Sequence, residues 1–123
     1  MMLRRAFVMG ASSLFLKGGA MERFGMYGKV LAKPGQRDAM VEILLAASRL
    51  LAPLPGCLMY VVNLVPAEPD AIWVTEIWSS EADHDALLKM DSVMALLAKA
   101  RPLIAGFESV RLVPVGGKGL PAR

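Results

Sequence analysis

Residues 71–78 read Ala-Ile-Trp-Val-Thr-Glu-Ile-Trp, a run of apolar and β-branched side chains that decides the fold. Such a run is typical of a β-strand, and residues 57–65 form a second run of the same kind. Between the two, residues 66–70 carry two prolines and the acidic side chains that favour a turn. We therefore expect the two runs to pair as a β-hairpin.

The segments on either side of this hairpin have the patterns of alternating helices and strands. The predicted elements are a strand over residues 26–33, a helix over 37–52, the hairpin, a helix capped by Ser80, a further helix between Asp91 and Pro102, and a strand over 107–115. This order is the ferredoxin-like βαββαβ arrangement, an α+β fold in which helices cover one face of an antiparallel sheet. We assign the domain to residues 26–115 and residues 116–123 to a tail.

The third predicted strand has apolar side chains on both of its faces. Because successive side chains of a strand point in opposite directions, Ile72, Val74 and Trp78 share one face. Trp73 and Ile77 lie on the other. Helices on one side of the sheet cover only one of these sets, and the uncovered set would leave a broad apolar surface. The sequence therefore predicts a homodimer that packs through the open sheet face.

Composition excludes several classes of protein. The chain has 123 residues, about the length of one domain. Its residues are 55% hydrophobic and 20% charged, which is typical of a globular protein rather than a disordered one. The body contains no uncharged apolar run near the roughly 20 residues that a membrane span requires. We therefore expect one globular domain that does not cross a membrane.

The formal net charge of +3 comes from the first 25 residues, which carry four basic side chains and one acidic one. The remaining residues hold 10 basic and 10 acidic side chains, so the body is neutral. A groove that follows a phosphate backbone needs clustered Lys and Arg, and the neutral body predicts no nucleic-acid partner.

Residues 1–25 form an N-terminal extension with two interpretations. Arg4-Arg5 precedes an apolar segment and a small-residue stretch at Gly18-Gly19-Ala20, the layout of a twin-arginine leader and hence of periplasmic export. Alternatively, the true start is Met21 or Met26, the extension is a mis-assigned start, and the protein is cytoplasmic.

Familiar catalytic and cofactor motifs are missing from the sequence. Cys57 is the single cysteine and His84 the single histidine, so the chain predicts neither an internal disulfide nor a zinc site. No glycine-rich loop opens a helix after a strand, and no Ser-His-Asp or Cys-His set is present. We expect no metal and no bound cofactor.

The candidate site residues are polar or aromatic side chains that are expected to face the space between sheet and helices: Tyr60, Asn63, Glu76, Trp78 and His84. His84 shares a helix face with Leu87 and Leu88, and a buried imidazole can take a proton from an acidic phenol. The alternative is a core histidine whose nitrogens are satisfied by the backbone.

The other four residues each have a plainer interpretation. Trp78 either stacks on a flat substrate or is a large core residue, and Glu76 either orients a ligand or pairs with a basic side chain. Asn63 needs hydrogen-bond partners within an apolar strand, and Tyr60 closes the cavity edge or the dimer interface.

Taken together, several short segments resemble the antibiotic biosynthesis monooxygenase (ABM) domain, in its quinol monooxygenase branch. The segments are residues 26–28, 33–37, 55–58, 73–78, 80–85 and 101–107, and the likeness extends over nearly all of residues 26–119. The resemblance implies a dimeric α/β barrel that oxygenates quinols, anthrones or related phenols with O2, without flavin, haem or metal. It also implies that His84 is the base and Trp78 a wall of the cavity.

The chain departs from the family pattern at Leu87, where relatives often carry a polar residue, and in residues 1–25, which have no counterpart in the usual cytoplasmic members. Two alternative functions stay open. One is a haem-degrading oxygenase of the same fold with His84 on the iron, which the lack of a matching asparagine in the first strand disfavours. The other is a non-catalytic dimeric protein that binds a small molecule or acts in stress.

Overall fold

The computed structural model describes residues 22–122, so the leader-like segment ahead of Glu22 lies outside the described residues. Within these residues there are four strands, three α-helices and one 3-10 turn: β1 (Phe24–Ala32), α1 (Arg37–Leu51), β2 (Cys57–Val65), β3 (Glu68–Trp78), α2 (Glu81–Leu87), α3 (Asp91–Ala100), the 3-10 turn (Arg101–Leu103) and β4 (Ile104–Leu112). The strands form one antiparallel sheet in the order β2-β3-β1-β4. The predicted ferredoxin-like α+β fold is confirmed.

The hairpin has a tighter turn than the sequence suggests. Residues 66 and 67 alone make the turn, and β3 begins at Glu68, which pairs with Val65. Pro69 is tolerated because it lies in a register shift of the β2 and β3 ladder and beyond the last pair with β1, where no backbone N–H is required of it.

The first and last strands lie earlier in the chain than predicted. β1 starts at Phe24 instead of residue 26, and Phe24 pairs with Trp78 at the end of β3. β4 occupies Ile104–Leu112 instead of 107–115, because the 3-10 turn follows α3 directly and Leu103 accepts a hydrogen bond from the Lys33 backbone N–H at 2.8 Å. Residues 113–122 are irregular.

The core lies between the sheet and the helices in two clusters. The first contains Val30, Ala32, Met40, Ile72 and Ala100, and the second contains Phe24, Leu51 and Trp78. In register, Val30 is opposite Ile72 and Phe24 is opposite Trp78, so the clusters occupy opposite ends of the β1 and β3 pair. Full burial of a Val, Leu, Ile, Phe or Met side chain stabilises the fold by roughly 1.5–3 kcal/mol.

The other face of the sheet is not covered by helices. Tyr27, Leu31 and Val61 are 46%, 41% and 44% exposed on this face, next to the half-buried Trp73 and Ile77. We call this surface the open sheet face. Separately, none of the helices within residues 22–122 is long and apolar enough to cross a membrane.

Candidate functional site

A cavity of about 300 Å³ lies between the sheet and the helices. Most of its lining side chains are apolar and come from β1, β3 and all three helices. Among residues 22–122, the lining side chains that carry polar groups are Tyr60, Glu76 and His84. These three polar groups therefore lie in an otherwise apolar cavity, where electrostatic interactions are stronger than in water.

Glu76 is a buried carboxyl group at the centre of the sheet. It lies opposite Met26 of β1 and Tyr60 of β2, which fixes its side chain on the covered face. The indole Nε1 of Trp78 donates a hydrogen bond of 2.9 Å to Glu76 Oε1. Burial raises the pKa of Glu76, and the indole hydrogen bond and the nearby His84 oppose that rise. On balance the surroundings of Glu76 hold its pKa above that of a glutamate in water.

His84 is positioned by the first turn of α2. The Ser80 Oγ accepts a hydrogen bond of 3.2 Å from the Asp83 backbone N–H, which is the predicted N-cap. One turn on, the imidazole stacks on the Phe24 ring with centroids 4.3 Å apart and meets the Trp78 ring edge-on at 5.7 Å. Aromatic contacts on two sides hold the imidazole in one orientation.

The two ring nitrogens of His84 face two different carboxyl groups. Nδ1 lies 3.0 Å from Asp85 Oδ1, and Nε2 lies 3.9 Å from Glu76 Oε1. An ionised carboxylate only accepts hydrogen bonds, so the neutral imidazole carries its proton on Nδ1 and donates it to Asp85. The lone pair of Nε2 then faces Glu76 and is available to accept a proton.

Tyr60 completes the polar end of the cavity. Burial raises the pKa of its phenol, and the charges of Glu76 and Cys57 act in the same direction. The hydroxyl therefore stays protonated at physiological pH and can donate or accept a hydrogen bond. Tyr60, Glu76 and His84, three of the residues that the sequence singles out, line the same cavity.

The other two predicted site residues lie elsewhere. Trp78 is 1% exposed and does not line the cavity, so it supports Glu76 and His84 from behind and is not in the cavity wall. Asn63 is on the open sheet face, opposite Trp73 in register. Its Nδ2 donates to the Trp73 carbonyl at 3.0 Å and contacts the Thr75 hydroxyl at 3.3 Å. These bonds provide the partners that an asparagine needs in an apolar strand.

Sequence reasoning missed three residues that shape the site. Asp85 orients His84, and the Phe24 ring stacks on the His84 imidazole. The guanidinium of Arg111, on β4, lies 4.2 Å from the centroid of the Phe24 ring. Asp85 could have been found from its position next to His84. Phe24 lay in the segment assigned to the N-terminal extension, and only the strand pairing brings Arg111 to it.

Within residues 22–122, no three His, Cys, Asp or Glu side chains are grouped in a way that could hold a metal ion. Cys57 lies near the site, and burial raises the pKa of its thiol, with the charge of Glu76 adding to the rise. The thiol form is favoured there.

Comparison with known proteins gives a consistent result. A family model described as antibiotic biosynthesis monooxygenase matches residues 23–99. A crystal structure from Chloroflexus aurantiacus J-10-fl, named as a candidate antibiotic biosynthesis monooxygenase, is 47% identical with a TM-score of 0.74, and the match covers 80% of this chain and 99% of that one. Among curated proteins, none matches the sequence.

More distant structures share the fold. A candidate antibiotic biosynthesis monooxygenase from Caulobacter crescentus CB15 is 22% identical with a TM-score of 0.73, over 81% of this chain and 96% of that one. A protein of unknown function from Nitrosomonas europaea is 25% identical with a TM-score of 0.68, over 85% of this chain and all of that one.

Proposed function

The chain belongs to the antibiotic biosynthesis monooxygenase family, and from this premise we propose that it oxidises a quinol, an anthrone or a similar phenol with O2 and without a bound cofactor. The observation that carries the proposal is the pairing of His84 with a buried carboxyl group at the polar end of an apolar cavity. Such a cavity suits an aromatic molecule with one acidic hydroxyl group.

In this proposal His84 is the general base. Its Nε2 lone pair takes the phenolic proton of the substrate, and Asp85 stabilises the imidazolium by accepting the Nδ1 hydrogen bond. Glu76 Oε1, 3.9 Å from Nε2, lies beyond hydrogen-bond distance, and in its ionised form it stabilises the imidazolium by charge. Tyr60 can hydrogen-bond to the substrate oxygen as its negative charge develops.

The electrons come from the substrate. Its anion passes one electron to O2, and the substrate radical and superoxide combine in the cavity. One oxygen atom stays on the substrate carbon, and the other leaves as water with the two hydrogens that the substrate loses. The protein positions the pair and excludes bulk water, which the apolar lining supports.

Oxygen uptake by chelator-treated protein tests the proposal, with a panel of quinols and anthrones and a blank for autoxidation. We expect His84→Ala to lower kcat/KM by about 100-fold or more, since a positioned base contributes 10²- to 10⁴-fold. Trp78→Phe keeps an aromatic ring but loses the hydrogen bond to Glu76, and we expect a smaller loss.

No uptake above the blank across the panel would contradict the proposal and favour a non-catalytic small-molecule binding protein. Haem binding and breakdown, with uptake dependent on added haem, would favour a haem-degrading oxygenase instead. The geometry gives that function little support, because both His84 nitrogens face carboxyl groups.

We also propose that two copies of the chain pack through their open sheet faces. The exposed apolar side chains of β1, β2 and β4 support this assembly, because a soluble monomer rarely leaves such a surface in water. The cavity is on the other side of the sheet, so the dimer leaves it accessible.

A further inference from the structure

The cavity extends along the strands as well as across the sheet, where its lining runs from Tyr60 on β2 to Phe107 on β4. β1 lines it with Met26, Gly28 and Val30, a span of about 14 Å at 3.4 Å per residue. α1 lines it from Met40 to Leu51, which is about 16 Å at 1.5 Å per residue. The volume of the cavity is about 300 Å³.

Its two ends differ in chemistry. Tyr60, Glu76 and His84 all lie at the end marked by Met26, which is opposite Glu76 in register. The far end is formed by apolar side chains of the first core cluster and its neighbour: Val30, Met40, Ala100 and Ile104. A ligand that fills this space therefore meets hydrogen-bonding groups at one end and hydrocarbon at the other.

Gly28 connects the two ends. It is in the middle of β1 on the covered face, between Met26 and Val30, and a strand glycine often marks the close approach of a ligand. A Cβ built there would lie 3.4 Å from Phe107, an ordinary contact with a side chain that is 60% exposed. The sheet would thus tolerate a side chain at this position, and its absence leaves the cavity continuous.

We propose that the substrate is an amphiphile: a phenolic head group at His84 and Glu76 with a hydrocarbon substituent that passes Gly28 and ends between Met40 and Ala100. This inference rests on the proposed function, because it assigns the phenolic end to the base. The exposed apolar rim of the cavity, formed by Leu88, Leu97 and Phe107, would be partly covered by such a substituent.

Equilibrium binding of 4-alkylphenols, from ethyl to hexyl, tests the inference by calorimetry and needs no turnover. We expect the Kd of the wild type to fall about fourfold per added methylene, which follows from the free energy of burying a CH2 group. Methylating the hydroxyl, in 4-hexylanisole, should weaken binding by about tenfold or more, because the head group then has no proton to donate.

Gly28→Val narrows the middle of the cavity and should reduce the gain in binding free energy per methylene by at least half. Gly28→Ala should have an intermediate effect, and it replaces the valine variant if that variant does not fold. Gly106→Val is the matched control, since Gly106 is on the opposite face of the sheet and a Cβ there lies 3.9 Å from Leu31. Gly106→Val should keep the wild-type gain in binding free energy per methylene.

A Kd that does not change with chain length in the wild type, or an undiminished gain in both Gly28 variants, would overturn the inference. Chain-length-dependent binding without oxygen uptake would refute the proposed function and leave the amphiphilic ligand standing. Oxygen uptake with no dependence on chain length would refute the amphiphile alone.

Discussion

At the scale of single residues, the site depends on a carboxyl group that the fold keeps away from water. Glu76 is 9% exposed and its hydrogen-bond donor is the Trp78 indole rather than a basic side chain. A charged Glu76 therefore lacks the full compensation that an Arg or Lys would give. Burial therefore raises the pKa of Glu76, and the 3.9 Å separation from His84 couples the protonation of the two groups.

A stability prediction follows from the raised pKa of Glu76. The folded protein holds the Glu76 proton more tightly than the unfolded chain, whose glutamate pKa is about 4.3. The stability that this provides is fully present below the unfolded pKa and is lost as the pH rises through the folded pKa. Glu76→Gln does not titrate and keeps an oxygen for the Trp78 N–H.

The free energy of unfolding of Glu76→Gln minus that of the wild type should therefore increase with pH above about 4, by at most about 1.4 kcal/mol per pH unit, and then level off. Urea unfolding of both proteins from pH 4 to 8 measures this difference, in which titrating groups that do not interact with Glu76 cancel. A difference that is constant or decreases with pH would refute the raised pKa.

The sequence located His84, Glu76 and Tyr60 together because helix spacing and strand alternation fix which way each side chain points. The same alternation would have separated Asn63 from Tyr60, since residues three apart on one strand point to opposite faces. The hydrogen bonds of Asn63 to Trp73 and Thr75 could not be foreseen, because they depend on the register between β2 and β3.

At the scale of elements, the placement of α2 depends on the loop before β2. A Cβ on Gly56 would lie 2.8 Å from Asp83 Oδ2 and 2.9 Å from Asp83 Cβ, which is closer than real contacts allow. The Gly56 carbonyl also accepts a hydrogen bond of 2.8 Å from the Ser79 N–H, just before the helix. This loop therefore supports the helix that carries His84.

Gly56→Ala should displace the first turn of α2. We expect a loss of stability of about 1–3 kcal/mol, the range of overpacked sites, and a fall in kcat/KM with the best substrate of the panel. Gly106→Ala is the control, because its new Cβ makes only an ordinary contact. Wild-type stability and activity in Gly56→Ala would show that the loop does not support α2.

Element order was predictable, and element ends were less so. The hairpin runs and the cap at Ser80 depend on local sequence, and both are found as expected. The start of β4 depends on a backbone hydrogen bond between Lys33 and Leu103, which are 70 residues apart. No local sequence pattern therefore marks where β4 begins. The early start of β1 likewise depends on pairing with Trp78.

At the scale of the whole molecule, the open sheet face is the feature that a single chain leaves unused. We expect the wild type to sediment as a dimer and Val61→Asp to raise the dimer Kd about tenfold or more, because an unpaired carboxylate would be buried in the interface twice. Met94→Asp is the matched control, as Met94 is 52% exposed on α3. Sedimentation of the wild type as a monomer, or equal Kd values for both variants, would contradict this assembly.

The central claim is that the protein inserts one atom of O2 into its substrate with electrons from that substrate. The most direct measurement is mass spectrometry of the product formed under ¹⁸O2, with chelator-treated protein and no added reductant, quenched before carbonyl oxygens exchange with water. We predict one ¹⁸O atom per product molecule and no stoichiometric hydrogen peroxide. An unlabelled product with one equivalent of peroxide would identify an oxidase and contradict the account.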